Sequence, residues 1–406
     1  VARGARLTGR GWALVVIGLV ATVGAAIAGE RDLIWVTAVP VFLPLLGLAH
    51  LTLDPPRITH RRTVEPGTVA IGESARVVVE IRSASTTQAA ALRFTDHAPA
   101  ALGDGARFGI ARGFGSWRQA VGYTIATTQR GRYEIGPLAA EATDALALAR
   151  IRVAADGPAT SLRVTPHLWR LGSLTASPRL GAADATPQRI GQAGSDDVLV
   201  REHRHGDDLR RVHWKMTARQ GDLMVRLEEH PWDPSSTLVV DTRTGAHFGQ
   251  GPGSSLEWAV SAVTSVAAQL TEGRHRLTIV SPAGLACDPG HTLGEAARQL
   301  VLEAMTDLAS SEETWLGAAV ADPQLLGASA TIVAATGRLT ARDAAALAAA
   351  GTRALSRVAL APDVEAWGGE PGEHADALRL LRNHGWTVEL YGPHTGVADA
   401  WRRATT

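Results

Sequence analysis

Two apolar runs open the chain, Gly11–Gly29 without a charge and Leu33–Leu53 with His50 as its lone titratable group. A helix rises about 1.5 Å per residue, so runs of this length reach across a hydrocarbon core of roughly 30 Å. Glu30-Arg31-Asp32 between them leaves room for a tight turn. Trp12 and Trp35 stand near the two starts, at the depth indoles favour, while Pro40 and Pro44 predict a kinked second helix. Residues 1–54 are therefore expected to form a two-helix transmembrane hairpin, with spans at about 11–29 and 33–53.

From Arg57 to about Pro166 the polarity alternates with period two. Strands are predicted at Thr68–Ile71, Ala75–Arg82, Leu92–Asp96, Tyr123–Thr127, Tyr133–Leu138 and Leu162–Thr165, with no amphipathic helix among them. Short strands at this spacing read as an antiparallel β-sandwich over residues 55–166, and no acid/base or metal constellation stands out in it. His167–Gln192 is rich in Gly, Ala, Pro and Ser and reads as a connection, so residues 167–236 form a linker that ends in a polar segment. From Thr237 onward strands and helices alternate. Strands are expected at Thr237–Asp241, His275–Ser281, Ser329–Ala335, Ala354–Leu360 and Thr387–Tyr391. Helices are expected at Leu256–Leu270, Leu293–Leu308, after Thr340 with Asp343 in its first turn, at Glu373–His384 and at the end. This alternation predicts a Rossmann-like α/β domain over 237–406, a parallel sheet with helices on both faces.

Composition narrows the function classes. A chain of 406 residues, 45% hydrophobic and 20% charged, is neither disordered nor fibrous. Forty basic residues balance forty acidic ones, which argues against a nucleic-acid coat protein, and no nucleic-acid partner is expected. One cysteine, Cys287, excludes an internal disulfide framework and Cys-rich metal clusters; it follows a predicted strand and reads as an inert side chain. Arg3, Arg6 and Arg10 precede the first apolar run and Arg57, Arg61 and Arg62 follow the second, whereas the turn carries one Arg against two acids. Positive charge stays inside, so both ends and all soluble domains are expected in the cytosol. A cleaved leader would share the basic start, the apolar run and Ala26-Ile27-Ala28, but the length of the run and the second span favour the hairpin.

The densest polar stretch is Arg201–Arg226, with seven Lys/Arg and four Asp/Glu. Gly206 ends an extended run, and Asp207 or Asp208 is placed to cap a short helix. On that helix Arg211 and Lys215 are neighbours that repel unless carboxylates or a bound anion separate them. Glu202, Asp207 and Asp222 are near enough in sequence to do so. The segment is either an internal strut or a docking face.

Here the chain resembles the bacterial membrane-protein family known as "domain of unknown function 58". Arg201, Glu202, Gly206, Asp207, Asp208, Arg210, Trp214, Thr217, Ala218 and Arg219 match its R-E-Y-x-x-G-D-D-x-R-x-I-x-W-x-x-T-A-R signature, with His203 in place of the usual Tyr. Gln129–Pro137 and the Asp144–Leu148 corner fit the same layout. The resemblance implies a multi-domain chain whose C-terminal domain is similar to von Willebrand factor A domains. It also implies a MoxR-type AAA+ ATPase as partner at the cell envelope. It carries no catalytic activity and does not name the client protein.

Domains of that type can hold Mg²⁺ on a D-x-S-x-S loop, because hard divalent ions need several oxygen ligands. The corresponding loop reads Asp241-Thr-Arg243-Thr-Gly245: the aspartate is present, and Arg243 and Gly245 replace both serines. The expectation is a lost metal site, with Arg243 paired to Asp241. His203, His205 and His213 form a weak zinc candidate against the commoner reading of solvent-facing histidines. Asp207 or His213 would be the acid/base group of an enzyme, yet no nucleophile or oxyanion donor accompanies either. The sequence thus points to a membrane-anchored, non-enzymatic scaffold without a cofactor. A divalent-dependent adhesion-like module is the alternative, and a hydrolase ranks below both.

Overall fold

A computed structural model of the chain describes residues 3–83, 91–111, 115–172, 200–202, 217–219, 221, 224–226, 235–273, 275–320 and 329–406. The chain divides into two units, Val1–Thr165 and Pro166–Thr406.

The first unit begins with strand β1 (Arg3–Leu7), which the sequence pattern presents only as a basic flank. Thr8 then caps helix α1 (Gly9–Ala28), accepting from the Gly11 amide at 3.1 Å. Gly29, in the left-handed region at φ 78°, ends α1, and helix α2 (Arg31–Leu53) follows at once, so Arg31 and Asp32 lie in its first turn and not in the connection. The helices pack on each other at Gly18, where an added Cβ would meet Val41 at 2.8 Å, and through a Thr22–Thr37 hydroxyl contact of 3.1 Å. Both are long and apolar enough to cross a membrane by length and composition, properties that a signal sequence shares.

Ten further strands complete this unit: β2 (Ile58–Glu65), β3 (Thr68–Ala70), β4 (Ser74–Ser83), β5 (Ala91–Asp96), β6 (Ala106–Ala111), β7 (Trp117–Ala126), β8 (Gly131–Ile135), β9 (Leu138–Thr143), β10 (Ala149–Ala154) and β11 (Thr160–Thr165). They form three sheets, in the orders β1-β10-β9-β5-β6, β2-β4-β7 and β3-β11-β8. Pairing is antiparallel except between β3 and β11, which run parallel. The predicted strand Tyr133–Leu138 is two strands, because Gly136 at φ 130° and Pro137, which has no amide hydrogen, interrupt it. Alternation sends Val77, Val79 and Ile81 of β4, Ala140 and Ala142 of β9 and Ile151 and Val153 of β10 into one core. Leu51 of α2 is buried in the same core.

The second unit contains the hairpin β12 (Val200–Glu202) and β13 (Met224–Arg226), and then the elements β14 (Ser235–Val240), α3 (Ser255–Glu272), β15 (Arg276–Ser281), β16 (Gly284–Cys287), α4 (Gly294–Asp307), α5 (Gly317–Val320), β17 (Thr331–Ala335), α6 (Ala341–Ala350), β18 (Ser356–Pro362), α7 (Gly372–Asn383), β19 (Thr387–Tyr391) and α8 (Val397–Thr405). The six-stranded sheet has the order β16-β15-β14-β17-β18-β19. It is parallel except for the edge strand β16, which returns from β15 by a tight turn and runs antiparallel; the all-parallel expectation is corrected there. Helices α3, α4 and α8 cover one face, and α5, α6 and α7 the other. Ser254 caps α3, and Thr340 with Asp343 forms a capping box on α6, each satisfying amides that a helix start leaves free. Cys287 follows the predicted strand β15 and ends β16, and burial with the charge of Asp288 pushes its thiol up to about 11, so it stays protonated.

Candidate functional site

Counted along the chain, the sheet of the second unit runs 3-2-1-4-5-6, so connections leave in opposite directions from the adjacent strands β14 and β17. Open α/β sheets offer their natural crevice at such a reversal, beyond the carboxyl ends of the strands. Asp241 follows β14 directly, and its amide donates to Ala335 at the end of β17 at 2.9 Å. Gly337 lies just beyond β17, where an added Cβ would come within 2.5 Å of the Ala246 carbonyl. Only glycine fits, and its amide reaches Asp241 Oδ2 at 3.0 Å.

Arg243 fills this crevice. Its Nε donates to Asp241 Oδ1 at 2.9 Å and its Nη2 to Asp241 Oδ2 at 2.8 Å. Nη1 donates to Asp343 Oδ2 at 2.9 Å and to the Thr314 carbonyl at 3.3 Å, while Nη2 also reaches the Arg338 carbonyl at 3.1 Å. All five guanidinium hydrogens are thereby used. The three side chains are buried. Burial alone would weaken the charge on Arg243; Asp241 and Asp343 outweigh it and raise its pKa. Burial likewise pushes Asp343 up, but the Thr340 and Leu316 amides and the Arg243 charge prevail and hold it below the usual carboxylate range.

A divalent ion does not fit this arrangement. Each Asp241 oxygen already accepts two hydrogen bonds, two of the four from the guanidinium. An ion would have to expel a cation that cannot be deprotonated. Among the described residues no group of three His, Cys, Asp or Glu side chains is placed to hold a metal. Gly245 lies in the short turn after Arg243 and brings no ligand. The neighbouring His247 donates from Nε2 to the Asp241 carbonyl at 2.8 Å and accepts at Nδ1 from Ser255 at 2.9 Å, tautomer roles assigned from these partners.

The signature residues are placed only in part. Arg201 and Glu202 belong to β12, paired with Val225 and Met224 of β13. Thr217, Ala218 and Arg219 lie on one helical turn, which the Gly221 amide closes on the Thr217 carbonyl at 3.0 Å. Gly206, Asp207, Asp208, Arg210, Arg211, Trp214 and Lys215 lie outside the described residues, as do His203, His205 and His213.

Residues 199–352 match the family described as protein of unknown function DUF58. The DUF58 match covers less than half of the chain. It runs from the signature segment to the turn after α6, so Asp241, Arg243 and Asp343 all fall inside it. No curated protein matches the chain. Among solved structures, a CARDB domain from Pyrococcus furiosus in complex with di-metal ions is 14% identical at a TM-score of 0.19, covering 27% of this chain and 93% of that one. An alkylpurine DNA glycosylase from Pseudomonas fluorescens, bound to DNA with an abasic-site analogue, is 13% identical at a TM-score of 0.17, covering 33% and 40%. Likeness this slight carries neither fold nor function to this chain.

Sequence reasoning treats Asp343 as a helix cap and misses its role as the second carboxylate of the cluster. It also misses His374, which is buried beside the same strand ends. Its Nδ1 accepts from the Leu339 amide at 2.9 Å and its Nε2 donates to the Pro362 carbonyl at 3.1 Å, and only a neutral ring does both. Burial lowers its pKa against the two backbone hydrogen bonds, with the Arg338 charge acting in the same direction as burial. Below the ordinary value of 6.5 the unfolded chain therefore binds a proton that the folded chain refuses. Stability from this group is full above that value and is lost as pH falls from it toward the lower folded pKa. Hydrogen exchange at the Leu339 amide is expected to accelerate from about pH 7.5 to about pH 5.5, beyond its intrinsic pH trend, by at most about 1.4 kcal/mol per pH unit. His374→Gln should flatten that dependence.

Proposed function

We propose that this chain is a membrane-anchored, cytosol-facing scaffold or adaptor, non-enzymatic itself, that works with a MoxR-type AAA+ ATPase in assembly or maturation at the bacterial cell envelope. The observation that carries this is the self-neutralised cluster at the sheet reversal. Where an α/β fold usually presents a ligand site, Arg243 spends its full donor set on Asp241, Asp343 and two carbonyls. The Ser255–His247 pair beside Asp241 is closed off as well, since Ser255 is buried and His247 Nε2 is committed to the Asp241 carbonyl. The strand order with its antiparallel third strand supports a von Willebrand factor A-type reading of the second unit, and the three sheets around one core support a β-sandwich reading of the first.

The hairpin orientation draws its support from the flanking charge, with one correction. Arg62 is buried against Asp96 and offers no free charge near the membrane, so Arg6, Arg10, Arg57 and Arg61 carry the bias. A pull-down from native membranes with an ATPase-trapping variant of a MoxR-like protein is expected to recover the full chain; failure to recover it would remove the partnership. Arg211→Ala tests the signature segment. A lower melting temperature without the partner is expected of a strut, whereas lost recovery at unchanged stability would make the segment a docking face.

A further inference from the structure

The five-stranded sheet of the first unit has one face in the core and one in solvent, and the solvent face is basic. Arg6 of β1, Arg150 and Arg152 of β10, Arg93 of β5 and Arg107 of β6 are exposed on it. Among the described residues Glu141 of β9 is the single acid on this face, and it is already bonded to Arg152 at 2.7 Å and within 3.7 Å of Arg150. Arg6, Arg93 and Arg107 have no carboxylate partner among the described residues. Arg6 stands directly across the ladder from Arg150, an arrangement that destabilises a sheet unless an anion intervenes. Gly4, Arg6, Arg150 and Arg152 line a hollow of about 90 Å³, which adjoins a larger groove of about 660 Å³ that also includes Arg93 and Arg107.

The face is also joined to the apolar hairpin. Only Thr8 separates β1 from α1, and its hydroxyl donates to the Ala147 carbonyl at 2.7 Å, in the corner that leads into β10. Gly11 in the first turn of α1 lies so close to the Leu148 carbonyl that an added Cβ would approach it to 2.1 Å. The row holding Arg6 and Arg150 is thus nearest the helices. Arg152 lies one row further out, and Arg107, across from Thr95, one row beyond that. Two rows correspond to about 13 Å of strand, more than the roughly 5–8 Å of headgroup layer on one side of a bilayer. The first turn of α1 carries no acid, and its free amides add to the positive field.

We propose that the hollow between Arg6, Arg150 and Arg152 binds the phosphate of an anionic phospholipid in the leaflet where α1 begins, an assignment that rests on the hairpin spanning a membrane. Guanidinium groups bind phosphate oxygens in pairs, and juxtamembrane arginines add affinity for anionic lipid. The occupant is a lipid, because the charge is graded along the strands toward the helices and lies at their polar ends.

The test is native mass spectrometry of the full chain from mixed micelles containing equal phosphatidylglycerol and phosphatidylcholine. Phosphatidylglycerol should be retained preferentially, and Arg6→Gln with Arg150→Gln should reduce the preference about five-fold per arginine. Arg6→Lys with Arg150→Lys should keep most of it, and Arg107→Gln all of it. Equal retention of both lipids by the wild-type chain would overturn the proposal, as would a preference that survives the double Gln variant. Displacement of the lipid by inorganic phosphate or by a polyglutamate peptide would also overturn it, in favour of a soluble anion or an acidic protein. Quenching of Trp12 and Trp35 by brominated phosphatidylcholine in vesicles checks the hairpin separately. Without quenching both readings fall; with quenching and no lipid preference, only the lipid site falls.

Discussion

Arg243→Met is expected to destabilise the second unit by about 3–5 kcal/mol, the range seen when one partner of a buried ion pair is removed. The loss arises less from broken hydrogen bonds than from what stays behind. Asp241 and Asp343 would remain buried without a counter-charge, and the Thr314 and Arg338 carbonyls would lose their donors. The carboxylates would then have to take up protons or open the sheet end to water. Asp343 also changes its pH behaviour. Its depressed pKa contributes stability that is present above the ordinary carboxylate range and lost as pH falls through the folded value. Without the guanidinium that contribution shrinks, so the variant's stability should fall less steeply than the wild type's as pH drops through the carboxylate range. Urea unfolding followed by near-ultraviolet circular dichroism measures both effects. Adding Asp241→Asn to Arg243→Met should recover part of the loss, since a neutral amide still accepts from Gly337. If Arg243→Met alone left the midpoint within about 0.5 kcal/mol of wild type, the cluster would be solvated rather than sealed.

Much of the second unit is legible because its signals are local. Residues Leu256–Leu270 repeat their apolar positions at helical spacing, and the helix observed extends only slightly further, from Ser255 to Glu272. Thr340 and Asp343 announce the start of α6 by a three-residue spacing, and the capping box is present. The Asp241–Arg243 pair is equally local, two residues apart, and its geometry follows from the turn that ends β14. Asp343 joins it from 100 residues away. No window on the sequence contains both, and a residue with an evident local job hides a second, tertiary one. Most of the densest motif of the chain, Arg201–Arg219, lies outside the described residues.

The first unit is harder to read for a different reason. Strand β2 turns His60 and Arg62 inward together with Ile58, so its alternation places polar groups where apolar ones are expected. Strands β9 and β10 expose charge correctly, but β9 fills its inward positions with Ala140 and Ala142, residues with weak strand preference. Strand β1 is five residues long and leans Ala5 and Leu7 on the core, too short a pattern to stand out beside its arginines. Composition-based reading sees alternation only where the inner face is apolar. Here one inner position is instead held by an ion pair.

Asp96→Asn is the experiment that shows what that pair does, and its effect should rival that of Arg243→Met. Arg62 and Asp96 are fully buried and joined side by side, Nε to Oδ2 at 3.1 Å and Nη2 to Oδ1 by a shorter contact. Nη1 donates to the Ile135 carbonyl at 2.8 Å, and the Tyr123 hydroxyl donates to Asp96 Oδ2 at 2.7 Å. Burial, with the hydrogen bond to Asp96, raises the Tyr123 pKa so that it remains a donor at every accessible pH. These partners come from different sheets: Arg62 and Tyr123 from β2-β4-β7, Asp96 from the five-stranded sheet and Ile135 from β3-β11-β8. One guanidinium therefore ties all three together. Asn at position 96 keeps the shape and leaves the cation without a counter-charge, which is expected to cost about 3–5 kcal/mol of unfolding free energy. Pairing it with Arg62→Met should return part of that loss, because the unpaired buried cation is removed while the Asn amide oxygen still accepts from Tyr123. The two changes separate stability from register. If the double variant regains its melting temperature but loses the sharp transition and the near-ultraviolet signal, the ion pair specifies how the sheets meet. Should both return together, apolar packing alone positions the sheets, and the pair adds only a penalty for being broken.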